Sequence, residues 1–444
     1  MIPNQVRALI LALLLYCCVF PTLATPTHEP QDEKPVQQEE SSPADGQDEK
    51  AKGSPPPQVE RSQSAEPTEP DAATPQGAEP KPPPRRAGLL PLAPAAEIDL
   101  GSRPVGPALL HRRALVVATR GGELFSLDAT TLVTQWKLGM PGAELFTPCP
   151  VPSGVLVASR SGSLILVRPE TGEILNEESV GSPIARSPTC EGSTLFLATP
   201  DSEVLAYDVG EWEETWRSKL QASPLTMTVG AGLLLVSDSA GGLNALEVAT
   251  GALRWQFQGR GNLEARAVFD EAGERLYVGD TAGFFYAISV RDGKVHYRWS
   301  NGTAIADAAL LEEDRLFVVS YANTLFCYRT GNGHELWRTN LPGRPAGAPF
   351  RVRRRVVVLT LNGQVTEYLA GGQAAPLAYN APDDILPYPT LLPAGMVLPL
   401  RSGKLLLLRS REPTPAEANE PGGAGEDQEE LEDELPEPDE LTMS

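Results

Sequence analysis

Histidine, cysteine and paired carboxylates build most active sites, and here they are few and scattered. The four histidines, His28, His111, His296 and His334, stand far apart in the chain. Imidazole acid–base work would need the fold to gather them. No His-Glu-x-x-His, Gly-x-Ser-x-Gly or phosphate-binding glycine loop occurs. Of five cysteines, Cys17 and Cys18 are adjacent in an apolar leader, and Cys149, Cys190 and Cys327 are spread downstream. The groups that do cluster are arginines: Arg351, Arg353, Arg354 and Arg355 in one stretch, Arg112 and Arg113 beside His111 in another. Their chemistry is electrostatic binding. Arg186, Arg266 and Asp307 recur at related positions and could meet on an axis around a small anion. No cofactor and no metal site is expected.

The elements that position these residues follow from where the charge lies. The chain has 444 residues and a formal charge of −21. Residues 25–95 carry −6 and residues 411–444 carry −12, so the stretch between them is nearly neutral. Acidity argues against a nucleic-acid partner only where it lies on the folded part, and here it lies in the two end segments; no nucleic-acid partner is expected. Residues 1–24 read as an export signal: Arg7, an apolar run from Ala8 to Leu15, then Thr22-Leu23-Ala24 as a cleavage site. A lipid-anchored Cys17 or Cys18 is the alternative end of the leader, with Tyr16 where lipoprotein signals carry a small residue. Residues 25–95 hold 16 prolines and read as a disordered acidic tether, and 411–444 as a disordered acidic tail. Export to the periplasm or outer membrane is expected, with secretion as the alternative.

Residues 96–410 lack helical periodicity and repeat instead. Short apolar runs begin at Leu115, Val155, Leu195, Leu234, Leu276, Leu316, Val356 and Met396, at spacings of 40, 40, 39, 42, 40, 40 and 40. Seven residues into each unit comes a turn residue: Gly122, Gly162, Ser202, Gly241, Gly283, Asn323, Gly363 and Gly403. Fourteen residues further stand Trp136, Asn176, Trp216, Trp255, Tyr297, Trp337 and Leu377, a slot for an aromatic wedge between units. Pro107, Pro148, Pro188, Pro349 and Pro389 mark the free edge strand of their units. Eight units of four short strands predict an all-β, eight-bladed propeller with four-stranded antiparallel blades. Unit eight stops one strand short. The segment from Ile98 is expected to supply that strand and close the ring, with Ile98 in the aromatic slot.

The unit resembles the pyrroloquinoline-quinone-type propeller repeat, most clearly from Gly241-Gly242-Leu243 through Thr250-Gly251 to Trp255. Two branches of that superfamily differ in what they imply. Quinoprotein dehydrogenases imply a quinone with calcium on the axis and often an adjacent cysteine pair; the only such pair here is Cys17-Cys18, in the leader. The outer-membrane assembly factor BamB branch implies an exported, non-enzymatic eight-bladed scaffold that docks an envelope protein.

The expected function is therefore a monomeric, non-catalytic propeller mediating protein–protein contact in the cell envelope, with peripheral membrane attachment if the leader is lipidated. The alternatives are a quinone-dependent dehydrogenase and a carbohydrate-binding propeller, the latter resting only on a surface Trp212. Arg112, Arg113, Arg351, Arg353, Arg354 and Arg355 should share one ring face with the acidic tail's exit, as a patch for the tail or a partner. Pairing of Cys149 with Cys190 stays open, and Asn301-Gly302-Thr303 matches a glycosylation sequon.

Overall fold

The computed structural model describes residues 88–140 and 142–414. The leader, the tether up to residue 87 and the tail beyond Thr414 lie outside them. The described residues form eight four-stranded antiparallel sheets, and in seven of them the strands follow chain order from the innermost to the outermost. In blade eight the outermost strand comes from the other end of the chain. Leu92–Asp99 pairs antiparallel with Lys404–Ser410, from Leu92 opposite Ser410 to Asp99 opposite Lys404. The N-terminal strand closes the ring, as the incomplete eighth unit predicts. It begins at Leu92, inside the proline-rich stretch.

The middle strands carry the core. Ala114–Ala118 is buried at every position, and Leu195, Phe196, Leu197 and Ala198 in blade three are wholly enclosed. Such runs are apolar on both faces because each sheet is covered by a blade on either side. The outermost strands alternate exposed and half-buried residues, as in Thr134–Gly139. The five marker prolines stand one or two residues ahead of the innermost strands, not within them: Pro148 precedes Cys149–Val151, and Pro389 precedes Thr390–Leu392. Those strands are only three residues long, so the proline sets the approach to the edge.

All eight turn positions adopt positive φ, including Ser202 (61°) and Asn323 (57°). A second device fixes the same turn. Three residues earlier stands Thr119, Ser159, Thr199, Asp238, Asp280, Ser320 or Thr360, with only Leu400 departing. All seven are buried, and in five of them, Thr119, Ser159, Thr199, Asp238 and Asp280, the side chain accepts the amide that restarts the next strand: Ser163 N donates to Ser159 Oγ at 3.1 Å, and Phe284 N to Asp280 Oδ1 at 2.8 Å. Those five oxygens can be buried because each receives a donor. Thr360 Oγ1 donates instead to Asn362 Oδ1 at 2.6 Å, and Ser320 Oγ has no hydrogen-bond partner among the described residues.

Neighbouring blades are locked by the aromatic slot. Trp136, Trp216, Trp255 and Trp337 donate Nε1–H to carbonyls of Pro169, Val248, Val290 and Ala370 in the following blade, at 2.9, 2.8, 2.7 and 2.8 Å. Tyr297 donates its hydroxyl to Thr330 O in the same way. Each ring lies on a glycine with no room for a side chain; a Cβ on Gly293 would stand 2.7 Å from the Trp255 ring.

Two junctions reverse the sizes. Asn176 faces a turn whose glycine position is taken by Trp212 at φ 60°. Trp212 is half-buried there, edge-on to Tyr207 at 6.4 Å, so it is not the surface ring that a glycan-binding reading needs. At the closing junction Ala96, opposite Leu407, occupies the wedge register, as Trp136 opposite Ser126 does in blade one. Ile98 is opposite Leu405, two residues further along than expected. The bulk comes from Leu132, 2% exposed at φ 58°, across the junction. Volume is conserved while its donor changes sides.

Cys149 and Cys190 form a disulfide, Cα atoms 6.2 Å apart, joining the innermost strands of blades two and three. Cys327 is buried, and burial pushes its thiol up to about 11. The Asn301 amide nitrogen of the sequon is enclosed, out of reach of glycosylation in the folded ring.

Candidate functional site

Two regions gather polar side chains. One is a cavity of about 490 Å³ between blades five and six; the other, of about 720 Å³, lies where the chain leads into the innermost strands. The larger is lined by Arg186, Glu264, Arg266, Asp307 and Tyr388. Asp307 is buried, and its Oδ1 lies 3.5 Å from Arg266 Nε. The same guanidinium stacks over the Tyr388 ring, 4.9 Å from its centroid. Tyr388 holds a positive φ of 71°, and burial, with Asp307 beside it, pushes its hydroxyl up to about 12. The structure brings Arg186, Arg266 and Asp307 to one cavity, as their spacing suggests. Arg266 is already matched by Asp307, however, and Arg186 Nε is bound to Pro224 O at 3.0 Å. Two cations and two carboxylates leave this girdle balanced, which weakens it as an anion site.

The basic hairpins are on the face that carries the turns between first and second strands. Strand alternation puts the end of Lys404–Ser410 there too. Each cluster reaches an acidic residue of a neighbouring blade. Arg112 and His111 reach Glu170 of blade two at 3.4 and 3.5 Å. Arg351 pairs with Glu312 of blade six. Both chain ends meet between them: Arg353 Nη1 donates to Gly88 O at 3.2 Å, and Arg411 N donates to Pro91 O at 2.9 Å. Arg409, which the sequence reading passed over, donates to Thr130 O of blade one at 2.6 Å.

Glu367 was also missed, because one acidic residue in the short mixed strand Gln364–Tyr368 carries no pattern. It is 3% exposed and accepts the amides of Leu89 and Leu90, the latter at 3.0 Å. It clamps the arriving chain to blade seven. Burial raises its pKa, against the amides and the charges of Arg355 and Arg353, which lower it. A raised carboxyl stabilises the fold fully below its unfolded value, and that contribution is lost as pH rises through the folded value. Glu367→Gln keeps an acceptor without the charge, so its stability relative to the parent should improve from about pH 5 to about pH 8. Thermal midpoints at both pH values check this, and a pH-independent difference would count against it. Glu367→Ala strands two amides and should cost about 1–3 kcal/mol.

The aromatic wedges Trp136, Trp216, Trp255, Tyr297 and Trp337 are at blade junctions, and the Pro169 carbonyl that Trp136 meets adjoins Glu170, the partner of Arg112. Among the described residues, no group of three or more histidine, cysteine or acidic side chains is placed to hold a metal ion.

A protein-family model described as "Outer membrane protein assembly factor BamB" matches residues 120–258, 187–304 and 296–373. The outer membrane protein assembly factor BamB of Burkholderia pseudomallei is 27% identical over 274 residues, covering 57% of this chain and 70% of that one. Tetrathionate hydrolase of Acidithiobacillus ferrooxidans is 23% identical over 180 residues, covering 40% of this chain and 33% of the enzyme. The crystal structure of BamB from Moraxella catarrhalis superposes with a TM-score of 0.59 at 15% identity, over 72% of this chain and 99% of that one. That likeness shows the fold.

Proposed function

We propose, on the premise that this chain belongs to the BamB family of pyrroloquinoline-quinone-type propellers, that it is an exported, non-catalytic scaffold docking a protein partner in the cell envelope. The observation that carries this reading is the convergence of both ends of the described residues on one ring face, at Gly88 and Arg411, between the basic hairpins of blades seven and one. Edge strands and hairpin turns are then the elements a partner meets. Attachment through a lipid on Cys17 or Cys18, and residence in the periplasm or at the outer membrane, belong to the same proposal.

Arg112, Arg113, Arg351, Arg353, Arg354 and Arg355 serve in this reading as the surface that the −12 tail covers until a partner displaces it. Removing the residues beyond Thr414 should strengthen binding to the partner captured from envelope membranes. It should also make that binding more sensitive to salt, because the arginines become accessible to an acidic partner. Unchanged affinity and salt slope would remove the tail from the mechanism. Mass spectrometry of the mature N-terminus tests the anchor separately.

The match to a hydrolase keeps an enzymatic reading alive through the Arg266–Asp307–Tyr388 cluster. Titration with quinone and calcium, followed by absorbance, tests the quinoprotein version: a stoichiometric chromophore with dye reduction would favour it.

A further inference from the structure

One innermost strand departs from the other seven. Pro224–Gly230 of blade four has seven residues, where its counterparts have two or three. It pairs along its whole length with Leu233–Asp238, from Pro224 opposite Asp238 to Gly230 opposite Leu233. Leu225, Thr226, Met227, Thr228 and Val229 all line the cavity of about 720 Å³. Successive side chains of a strand point to opposite faces, so five in a row border one cavity only if it runs along the strand's edge. That edge carries unpaired backbone groups. Gly230 and Leu233 close the two-residue turn Ala231-Gly232, and pairing alternates from there. Thr228 and Thr226 therefore face Leu233–Asp238, and Thr226 N donates to Ser237 Oγ at 3.1 Å. Met227 and Val229 face the other way, and Met227 O accepts the hydroxyl of Thr189 in blade three at 3.3 Å. The N–H of Met227 and both backbone groups of Val229 are directed at the channel.

The surrounding charges say what would pair there. Arg186 Nε donates to Pro224 O at 3.0 Å, which puts this guanidinium at the beginning of the strand. Arg186 is exposed in the cavity lining, and no described carboxylate pairs with it. Arg266 and Asp307 already match each other at 3.5 Å. Glu264, exposed in the same lining, disfavours acidic side chains nearby. A strand entering from the hairpin face and pairing antiparallel, as the strands of blades three and four do, runs from Val229 toward Leu225 and ends beside Arg186. A guanidinium takes a terminal carboxylate through two parallel hydrogen bonds. A free anion gains little from a balanced girdle, but a peptide adds the ladder along Met227 and Val229. We propose that the channel binds an extended peptide end of about four residues, at ~3.3 Å each, along Leu225–Val229, with its C-terminal carboxylate on Arg186. The site lies inside the ring, away from the basic hairpins, so it stands or falls apart from the scaffold reading.

Equilibrium dialysis of the full chain against pools of random tetrapeptides lacking Asp and Glu tests this, with retained peptides counted by mass spectrometry. The pool with free carboxylates should be retained at least about tenfold more than the same pool amidated, the difference expected for a hydrogen bond between charged groups. Methylating the two central backbone nitrogens of the peptides should lower retention at least about tenfold as well, because a methylated nitrogen has no hydrogen to give the ladder. Both comparisons use the parent protein, so neither depends on a variant that folds. Arg186→Gln, checked by circular dichroism for an intact ring, should bring the acid and amide pools to within about threefold of each other. No retention of the acid pool, equal retention of acid and amide by the parent, or indifference to methylation would each overturn the proposal. So would a carboxylate preference that survives Arg186→Gln, since another group would then hold the peptide end.

Discussion

A chain shortened to begin at Ser102 should lose its cooperative thermal transition and elute as expanded or aggregated species, whereas one beginning at Lys81 should melt like the parent. The first truncation removes Leu92–Asp99 and leaves Lys404–Ser410 as an open edge. Each ladder hydrogen bond is worth about 1 kcal/mol net. The buried side chains of Leu92 and Leu100 add about 1.5–3 kcal/mol apiece. Together these approach the ~5–15 kcal/mol that separates a folded domain from its unfolded chain. The exposed leucines of blade eight would also invite edge-to-edge association. Circular dichroism melts with size-exclusion chromatography decide the matter. A shortened chain that melts cooperatively as a monomer would show that the ring does not depend on its final strand.

Trp255→Ala should destabilise the ring by about 3–5 kcal/mol, the range for removing a large buried aromatic. Trp255 is 8% exposed, packs among Leu243, Leu276 and Val290, and ties its indole to the Val290 carbonyl at 2.7 Å. Gly293→Ala attacks the same joint from the other side, since the new methyl would meet the indole at 2.7 Å on a residue with φ 70°. Urea unfolding should show a lower midpoint for both. Trp212→Ala, which removes a half-buried ring where Trp255 is buried, should cost less, and equal losses would mean that depth of burial does not set the cost of a junction ring.

Much of this was legible because a propeller writes the same constraints eight times. Eight residues forced to positive φ and a wedge at fixed distance show up as spacing, which survives even where Ser202 or Asn323 replaces glycine. Single-copy features left no such trace. Glu367 acts only because the chain returns to it from 277 residues away. The two-residue slip at Ile98 arose because the closing strand has no wedge to mark its register, Ala96 having ceded its volume to Leu132. The disulfide partners were visible, but their 6.2 Å approach depends on how two innermost strands converge. The broken 42-residue period was equally visible, yet nothing in it said that the extra length would wall the cavity between blades five and six.

That Cys149–Cys190 link has a consequence for the chain's life history. Thiols stay reduced in the cytosol, so a newly made chain there would lack the staple between blades two and three. Closing a loop with a sequence separation of 41 is worth about 4 kcal/mol by the chain-entropy relation. Under the proposed export, a precursor awaiting translocation would thus be easier to unravel and thread. Once in an oxidising space the same polypeptide would be fastened shut, giving passage a direction that the sheets alone do not impose.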